Sequence, residues 1–267
     1  MKPSLLHDTI FENIASSNGV FTSHFHDTYA IGLTHDGMFE SSVHGHKTSY
    51  AYQYATRIIN PGEVHYGDSH AWQYTNFYPT PHLLSNLYEQ MYGESKMIIF
   101  EKHIIEDMSL YQLLRRFFHS VYAKEEAMSS EIKLMEALSY LITHHAHKTV
   151  AYPFTCKAKK NISMVVEYIH ENLEHEILLD ELSTTAMLSK YHFVRLFKDH
   201  MGITPHQYIL SERIYKAKSL VLEGSSLTHA ALQAGFSDQS HFIRNFRKIY
   251  GYSPKTLLQK SNFILYS

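Results

Sequence analysis

Arg195 and Arg244 stand 49 residues apart inside one repeated phrase. Residues 192–205 are HFVRLFKDHMGITP and residues 241–254 are HFIRNFRKIYGYSP, aligned without a gap. His192/His241, Phe193/Phe242, Arg195/Arg244, Phe197/Phe246, Gly202/Gly251 and Pro205/Pro254 are identical, and Lys198/Arg247 keep their charge. A guanidinium offers five donors in a planar fork, so it can bond two acceptors on one base edge or one phosphate. A second group of residues suits other chemistry. His24 and His26 alternate so that a strand would carry both on one face, and His65 lies downstream. Three imidazoles can hold a metal ion or line a polar pocket.

The elements that must carry the arginines follow from periodicity. Phe193, Leu196, Phe197 and Met201 recur at i, i+3, i+4 and i+8, which makes one buried helix face. Tyr191, Val194, Arg195 and Lys198 then point the other way. In the second copy Phe242, Phe246, Ile249 and Tyr250 point inward, while Ser240, Arg244 and Arg247 point outward with Ile243 beside them. Ser189 and Asp238 suit the N-caps, Gly202 and Gly251 the C-caps, and Pro205 and Pro254 the first turn of whatever follows. A shorter helix is predicted ahead of each copy, over Leu179–Met187 and Thr228–Gly235, with Ala186 and Gly235 at matching turn positions. A short helix, a tight turn and a second helix with an outward basic half is the layout of a DNA-reading unit. Pro205–Leu222 predicts a rigid helix between the copies, about 27 Å long. That length is comparable with the roughly 34 Å between successive major grooves.

The chain has 267 residues, 44% apolar and 19% charged, enough for two domains with real cores. Its net charge of −2 hides an asymmetry: residues 157–260 carry 14 Lys+Arg against 10 Asp+Glu, and the remainder carries 10 against 16. One half attracts phosphate and the other repels it. One cysteine, Cys156, excludes an intrachain disulfide and a thiolate zinc site. No run approaches the length of a membrane helix, and the N-terminus has no signal-peptide pattern, so a cytoplasmic protein that avoids membranes is expected. Residues 20–80 show short alternating runs broken at Asp36-Gly37, His44-Gly45-His46, Asn60-Pro61-Gly62 and Gly67-Asp68, which predicts a small antiparallel barrel or sandwich. Leu110, Leu113, Leu114, Phe117, Phe118 and Val121, then Ile132, Met135, Leu138, Leu141 and Ile142, predict two amphipathic helices in a hairpin. Such a hairpin packs on the barrel or joins two subunits; the pattern permits both.

Ile162–Leu257, and above all Gly235–Pro254 (GFSDQSHFIRNFRKIYGYSP), resembles the DNA-binding domain of the AraC/XylS family of transcription regulators. The resemblance implies seven helices holding two helix-turn-helix units joined by a long helix. It implies base contacts from Tyr191, Val194 and Arg195 in the first unit, and from Gln239, Ser240, His241 and Arg244 in the second. Lys190, Lys198 and Arg247 would then meet phosphate, which positions without specifying. The N-terminal region resembles the cupin-like effector domain of many such regulators through His24-Phe25-His26, Gly37, Pro61-Gly62-Glu63-Val64-His65 and Ala71–Pro81. A metal cupin would place a carboxylate four residues after His26. Ala30 stands there, and Asp27 would face away on a strand. A polar pocket for a small molecule, lined by His24, His26, His65, Trp72 and Tyr74, is therefore the favoured reading, with no metal and no cofactor. A metal-bearing cupin enzyme with an appended DNA-binding module is the alternative. No G-x-S-x-G, Walker A or G-x-G-x-x-G motif points to other catalysis.

The resulting expectation is an α+β chain that is not an enzyme. A cupin-like barrel spans residues 1–95, a helical hairpin suited to dimerisation 96–148, a linker 149–160, and a double helix-turn-helix domain 161–260. The resemblance implies an effector-responsive activator with double-stranded DNA, a small molecule and RNA polymerase as partners, acting as a homodimer.

Overall fold

The computed structural model describes residues 9–43, 48–151, 160–258 and 263–266. The turn expected at His44-Gly45-His46 and Cys156 lie outside them. The N-terminal half is built from strands β1 (Thr9–His24), β2 (Ala30–Val43), β3 (Ser49–Ala51), β4 (Thr56–Ile59) and β5 (His65–Phe77), then helix α1 (Pro81–Tyr92). Strands β6 (Lys96–Ile99) and β7 (Ile104–Ile105), helices α2 (Met108–Tyr122) and α3 (Ala127–His145), and strand β8 (Lys148–Ala151) follow. The C-terminal half runs through α4 (Lys160–Glu171), α5 (Leu179–Thr185), α6 (Lys190–Met201), α7 (Pro205–Leu222), α8 (Leu227–Gln233), α9 (Gln239–Tyr250), a 3₁₀ turn at Pro254–Leu258, and strand β9 (Phe263–Tyr266).

The main sheet is antiparallel, in the order β7-β4-β2-β5-β1-β9 with β3 also paired to β2. It curls without closing, so the expected barrel is an open roll among the described residues. The curl comes from bulges, which bend a strand and increase its twist. The bulge at Ala71 also decides which side chains meet. Before it, β5 buries His65, Gly67 and Ser69; after it, Trp72 and Tyr74. Those two sets have opposite parity and would face opposite sides of a regular strand. One extra residue in β5 between Ser69 and Trp72 puts both on the same interior, with Ala71 at φ +48° and its N–H donated to Asn18 Oδ1 at 2.7 Å.

Among the described residues, three large cores and a small cluster of Ala30, Val43 and Ile59 hold the chain together. In the first, Phe11, Ile31, Leu33 and Phe77 of the sheet meet Leu110, Leu114 and Phe117 of α2 and Leu138 and Leu141 of α3. The hairpin thus forms where its periodicity predicts, with Asp107 capping α2. The buried stripe of α3 is Leu134, Ala137, Leu138, Leu141 and Ile142, however, and Ile132 and Met135 are exposed. The expected linker also begins too early: Lys148–Ala151 pairs with β6, because the alternation of T-V-A continues a strand. Its remainder up to residue 159 lies outside the described residues.

The other two cores belong to the C-terminal half. Ile162, Val165, Leu182, Phe193, Phe197 and Tyr208 enclose the first helix-turn-helix, α5–α6, with Val64 of the sheet half against it. Ile214, Ala217, Val221, Ala230, Phe242, Phe246 and Ile249 enclose the second, α8–α9. This last core is continuous with Ile14, Phe21, Phe39, Trp72 and Tyr74 on the inner face of the sheet. Six α-helices and the 3₁₀ turn at Pro254–Leu258 stand, among the described residues, where seven helices were implied.

Candidate nucleic-acid interface and effector cavity

Both helices of the repeat are delimited as the sequence dictates. Ser189 Oγ accepts from His192 N, and Asp238 Oδ1 accepts from His241 N at 2.7 Å, so each N-cap satisfies one orphan amide. Gly202 (φ 74°) and Gly251 (φ 72°) end the helices in the left-handed conformation that glycine takes without strain. Pro205 opens α7 behind the N-cap Thr204.

The turns before α6 and α9 correct one expectation. The residue with positive φ is Met187 in the first unit (φ 54°) and Gly235 in the second (φ 88°). Each directly follows its helix C-cap, Ala186 or Ala234. Met187, not Ala186, is therefore the counterpart of Gly235, and the second turn is one residue longer. Sequence alignment at a fixed offset hides this, because the caps realign immediately afterwards.

The outward faces carry the expected side chains. Tyr191, Arg195 and Lys198 are exposed on α6, and Ser240, Arg244 and Arg247 on α9. Arg195 lies 3.9 Å from Asp199 on the next turn, and Lys190 pairs with Asp180 at 2.6 Å. Such exposed pairs are worth under about 1 kcal/mol and give way readily to phosphate. Val194 is half-buried against the first unit's core, Gln239 Oε1 accepts from Thr228 Oγ1 at 2.6 Å, and His241 packs edge-on against Phe236. Those three have less freedom to meet a base than the arginines.

The roll brings the other predicted group together. The rings of His24 and His65 lie 4.2 Å apart, those of His26 and His65 5.0 Å, and those of His24 and His26 6.5 Å. His24 is paired across the strands with His65, while His26 lies in the loop beyond the end of β1. Trp72 stacks on Tyr74 at 3.9 Å and on Phe39 at 4.2 Å. These residues line one cavity with about 30 Å³ of free space, room for roughly two waters or a ligand of a few heavy atoms. Glu12, Arg57, Tyr78 and Tyr250 line it too. Tyr250 is the last residue of α9, so the second helix of the second helix-turn-helix supplies part of the wall.

Each imidazole has a fixed tautomer. Nδ1 of His24, His26 and His65 is bonded to the carbonyl of Thr22, Thr28 and Glu63 respectively, at 2.7–2.9 Å. A carbonyl only accepts, so Nδ1 carries the proton and the neutral ring shows a lone pair at Nε2. Burial opposes protonation and lowers the pKa of His24 to about 4 and of His26 to about 3, with His65 also held well below its usual value. A metal site would use this same tautomer. Among the described residues, though, no group of three His, Cys, Asp or Glu is placed to hold one ion.

Sequence reasoning missed Glu12, Arg57 and Lys218. Glu12 and Lys218 form a buried ion pair between β1 and α7. Tyr78 and Tyr252 donate their hydroxyls to the same carboxylate at 2.8 and 2.9 Å. Arg57 was visible only as one cation in the apolar run Thr56-Arg57-Ile58-Ile59.

Comparison with known proteins places both halves. Residues 15–142 match the AraC-like ligand binding domain, and residues 182–260 match a helix-turn-helix domain. The chain is 28% identical to the uncharacterized HTH-type transcriptional regulator YbfI of Bacillus subtilis, over 83% of this chain and 81% of that one. It is 44% identical to the probable transcriptional regulator LumQ of Photobacterium leiognathi, over 35% of this chain and 38% of LumQ. The fold matches apo ToxT from Vibrio cholerae with a TM-score of 0.65 at 13% identity, covering 94% of this chain and 97% of that one. No helix among the described residues is long and apolar enough to cross a membrane. With a ligand-binding roll, two helix-turn-helix units and these relatives, the chain belongs to the AraC family of DNA-binding transcription regulators.

Proposed function

We propose that this regulator reads DNA chiefly through Arg195 and Arg244 and activates transcription when a small molecule occupies the cavity behind Trp72. The observation that carries this reading is the equivalent placement of the two arginines, each exposed and two turns from an αL glycine cap. A guanidinium bonded to guanine O6 and N7 gives about 1–3 kcal/mol of discrimination. Tyr191 and Ser240 assist at neighbouring bases, with Val194, Gln239 and His241 as secondary contacts. Lys190, Lys198 and Arg247 grip phosphate. The effector acts on DNA binding because its cavity shares a wall with α9, and different affinities for two arrangements of the halves suffice to shift between them.

The active form is a homodimer that contacts RNA polymerase in the cytoplasm. Met128, Ile132 and Met135, exposed along one face of α3, support the pairing of two copies. Regulation rather than catalysis is the role of the N-terminal half.

Selection of bound duplexes from a random pool tests DNA reading and returns the site. On that site Arg244→Ala is expected to lower affinity at least about tenfold more than on random duplex. Equal loss on both would reduce Arg244 to a phosphate contact. Lys198→Ala should flatten the dependence of log K on log salt by about one unit.

A further inference from the structure

Arg57 is a buried cation with no hydrogen-bond or ion-pair partner among the described residues. Its side chain is 8% exposed and faces the cavity, with the guanidinium carbon 4.7 Å from the centre of Phe39 and 5.6 Å from that of Trp72. It makes neither hydrogen bond nor ion pair among the described residues. Arginine keeps its proton at any physiological pH, so the charge persists. The carboxylate whose field reaches it is Glu12, which already accepts from Lys218, Tyr78 and Tyr252. Glu12 and Lys218 cancel, the three imidazoles are neutral, and the cavity retains one positive charge. An unpaired buried charge is strongly unfavourable unless an anion joins it.

The rest of the lining narrows the anion. Nε2 of His24, His26 and His65 is a lone-pair acceptor, and that of His26 is buried with no hydrogen-bond partner. An anion with acceptors alone leaves these nitrogens unmet. A neutral sugar meets them and leaves Arg57 unpaired. An amino acid, as a zwitterion, brings no net charge to cancel the cavity's own.

We propose that the cavity is the effector site for a small hydroxy acid: its carboxylate is clasped by Arg57 and its hydroxyl donates to an imidazole Nε2 of the His24, His26 and His65 group. The ligand replaces the solvent in a space suited to a few heavy atoms, and one larger than this displaces the Tyr250 ring and so moves α9. This inference rests on the reading of the N-terminal half as an effector domain.

Trp72 is the chain's single tryptophan and stacks in the cavity wall, so its emission reports occupancy in the full-length protein. Glycolate, L-lactate and D-gluconate are titrated beside propionate, propane-1,2-diol, L-alanine and the neutral sugars D-glucose and D-xylose. At least one hydroxy acid should give a saturable change and raise the melting temperature. Propionate should bind at least about tenfold more weakly, and the diol and alanine should have no effect. Arg57→Met should weaken the hydroxy acid about ten- to a hundredfold. It should also melt higher than the wild type without ligand, since it removes an unpaired charge. Arg57→Lys, which keeps the charge and the fold, should retain measurable binding and serves if the methionine variant does not fold. Silence from all three hydroxy acids, equal binding of propionate and lactate, or undiminished binding by Arg57→Met would each overturn the assignment. If neutral sugars move Trp72 emission while no acid does, the hydroxy acid falls and the effector reading stands. If neither acids nor sugars move emission or melting, both fall.

Discussion

His24, His26 and His65 each donate Nδ1–H to a carbonyl two residues away, which locks the ring before any ligand arrives. Burial is the largest cause of their low basicity. Arg57 acts in the same direction on all three, and Lys218 on His24 and His26, while Glu12 opposes the shift on His24. The consequence for stability has a definite sign. In the unfolded chain these histidines titrate near pH 6.5, and in the folded chain His24 and His26 titrate near 4 and 3. Above about pH 6.5 neither state is protonated and the full stability is present. Below it the unfolded chain takes up protons that the folded one refuses, so stability falls as the pH drops towards 4. At pH 5 the loss is about 2 kcal/mol for each such imidazole. Denaturant midpoints at pH 7 and pH 5 measure this, and His26→Asn should remove about a third of the difference between them. An unchanged difference would mean that other groups carry the acid sensitivity.

At the scale of elements, the two helix-turn-helix units are the same device with different turns. Gly235 is wedged against the α4–α5 connection. A Cβ there would lie 2.3 Å from Leu173 O and 2.8 Å from Arg213 Nε, the group that donates to Leu173 O at 3.0 Å. Gly235→Ala is therefore expected to destabilise the second unit by more than about 1 kcal/mol. Met187, at the equivalent point of the first unit, is 78% exposed and holds a positive φ of 54°. Met187→Gly should relieve that strain and stabilise by up to about 1 kcal/mol. Thermal melts of both variants test the pair. An equal effect of like sign would mean that the turns are not equivalent.

How much of this was legible depends on the range of the signal. Caps, recognition helices and outward arginines are local features, and the sequence displays them twice. The histidine cluster was also legible, since H-x-H and a later histidine are all that it needs. The expected grouping of His65 with Trp72 and Tyr74 could not have come from strand alternation, because the bulge at Ala71 reverses the alternation between them. Arg57 is hidden in an apolar strand that reads as pure core. Glu12 and Lys218 lie 206 residues apart and leave no periodic trace. The buried stripe of α3 was misplaced for a simpler reason: Ile132 and Met135 share the helical spacing of the core without touching it.

At the scale of the molecule, the ion pair of Glu12 with Lys218 joins the two halves. Lys218 Nζ also stands 4.7 Å from the centre of Tyr78 and 4.2 Å from that of Tyr250, so the cation faces aromatic rings from both sides of the interface. Removing one partner of such a pair strands the other charge and costs about 3–5 kcal/mol, whereas neutralising both is far milder. Glu12→Gln and Lys218→Met are each expected to lower the stability of the full chain by that amount, and the double variant to recover most of it. Urea unfolding of the four proteins closes the cycle. Losses that simply add would show that the two groups do not act together.

Strand β9 has a practical consequence. Phe263–Tyr266 pairs in antiparallel fashion with Thr9–Glu12, so the last strand of the chain covers the outer hydrogen-bonding edge of the first. A fragment cut before α4, the obvious way to isolate the sensing half, would lay those amides and carbonyls open. Bare edges of that kind recruit further copies. Such a fragment should self-associate, and its oligomers would report the missing strand rather than any pairing of intact chains.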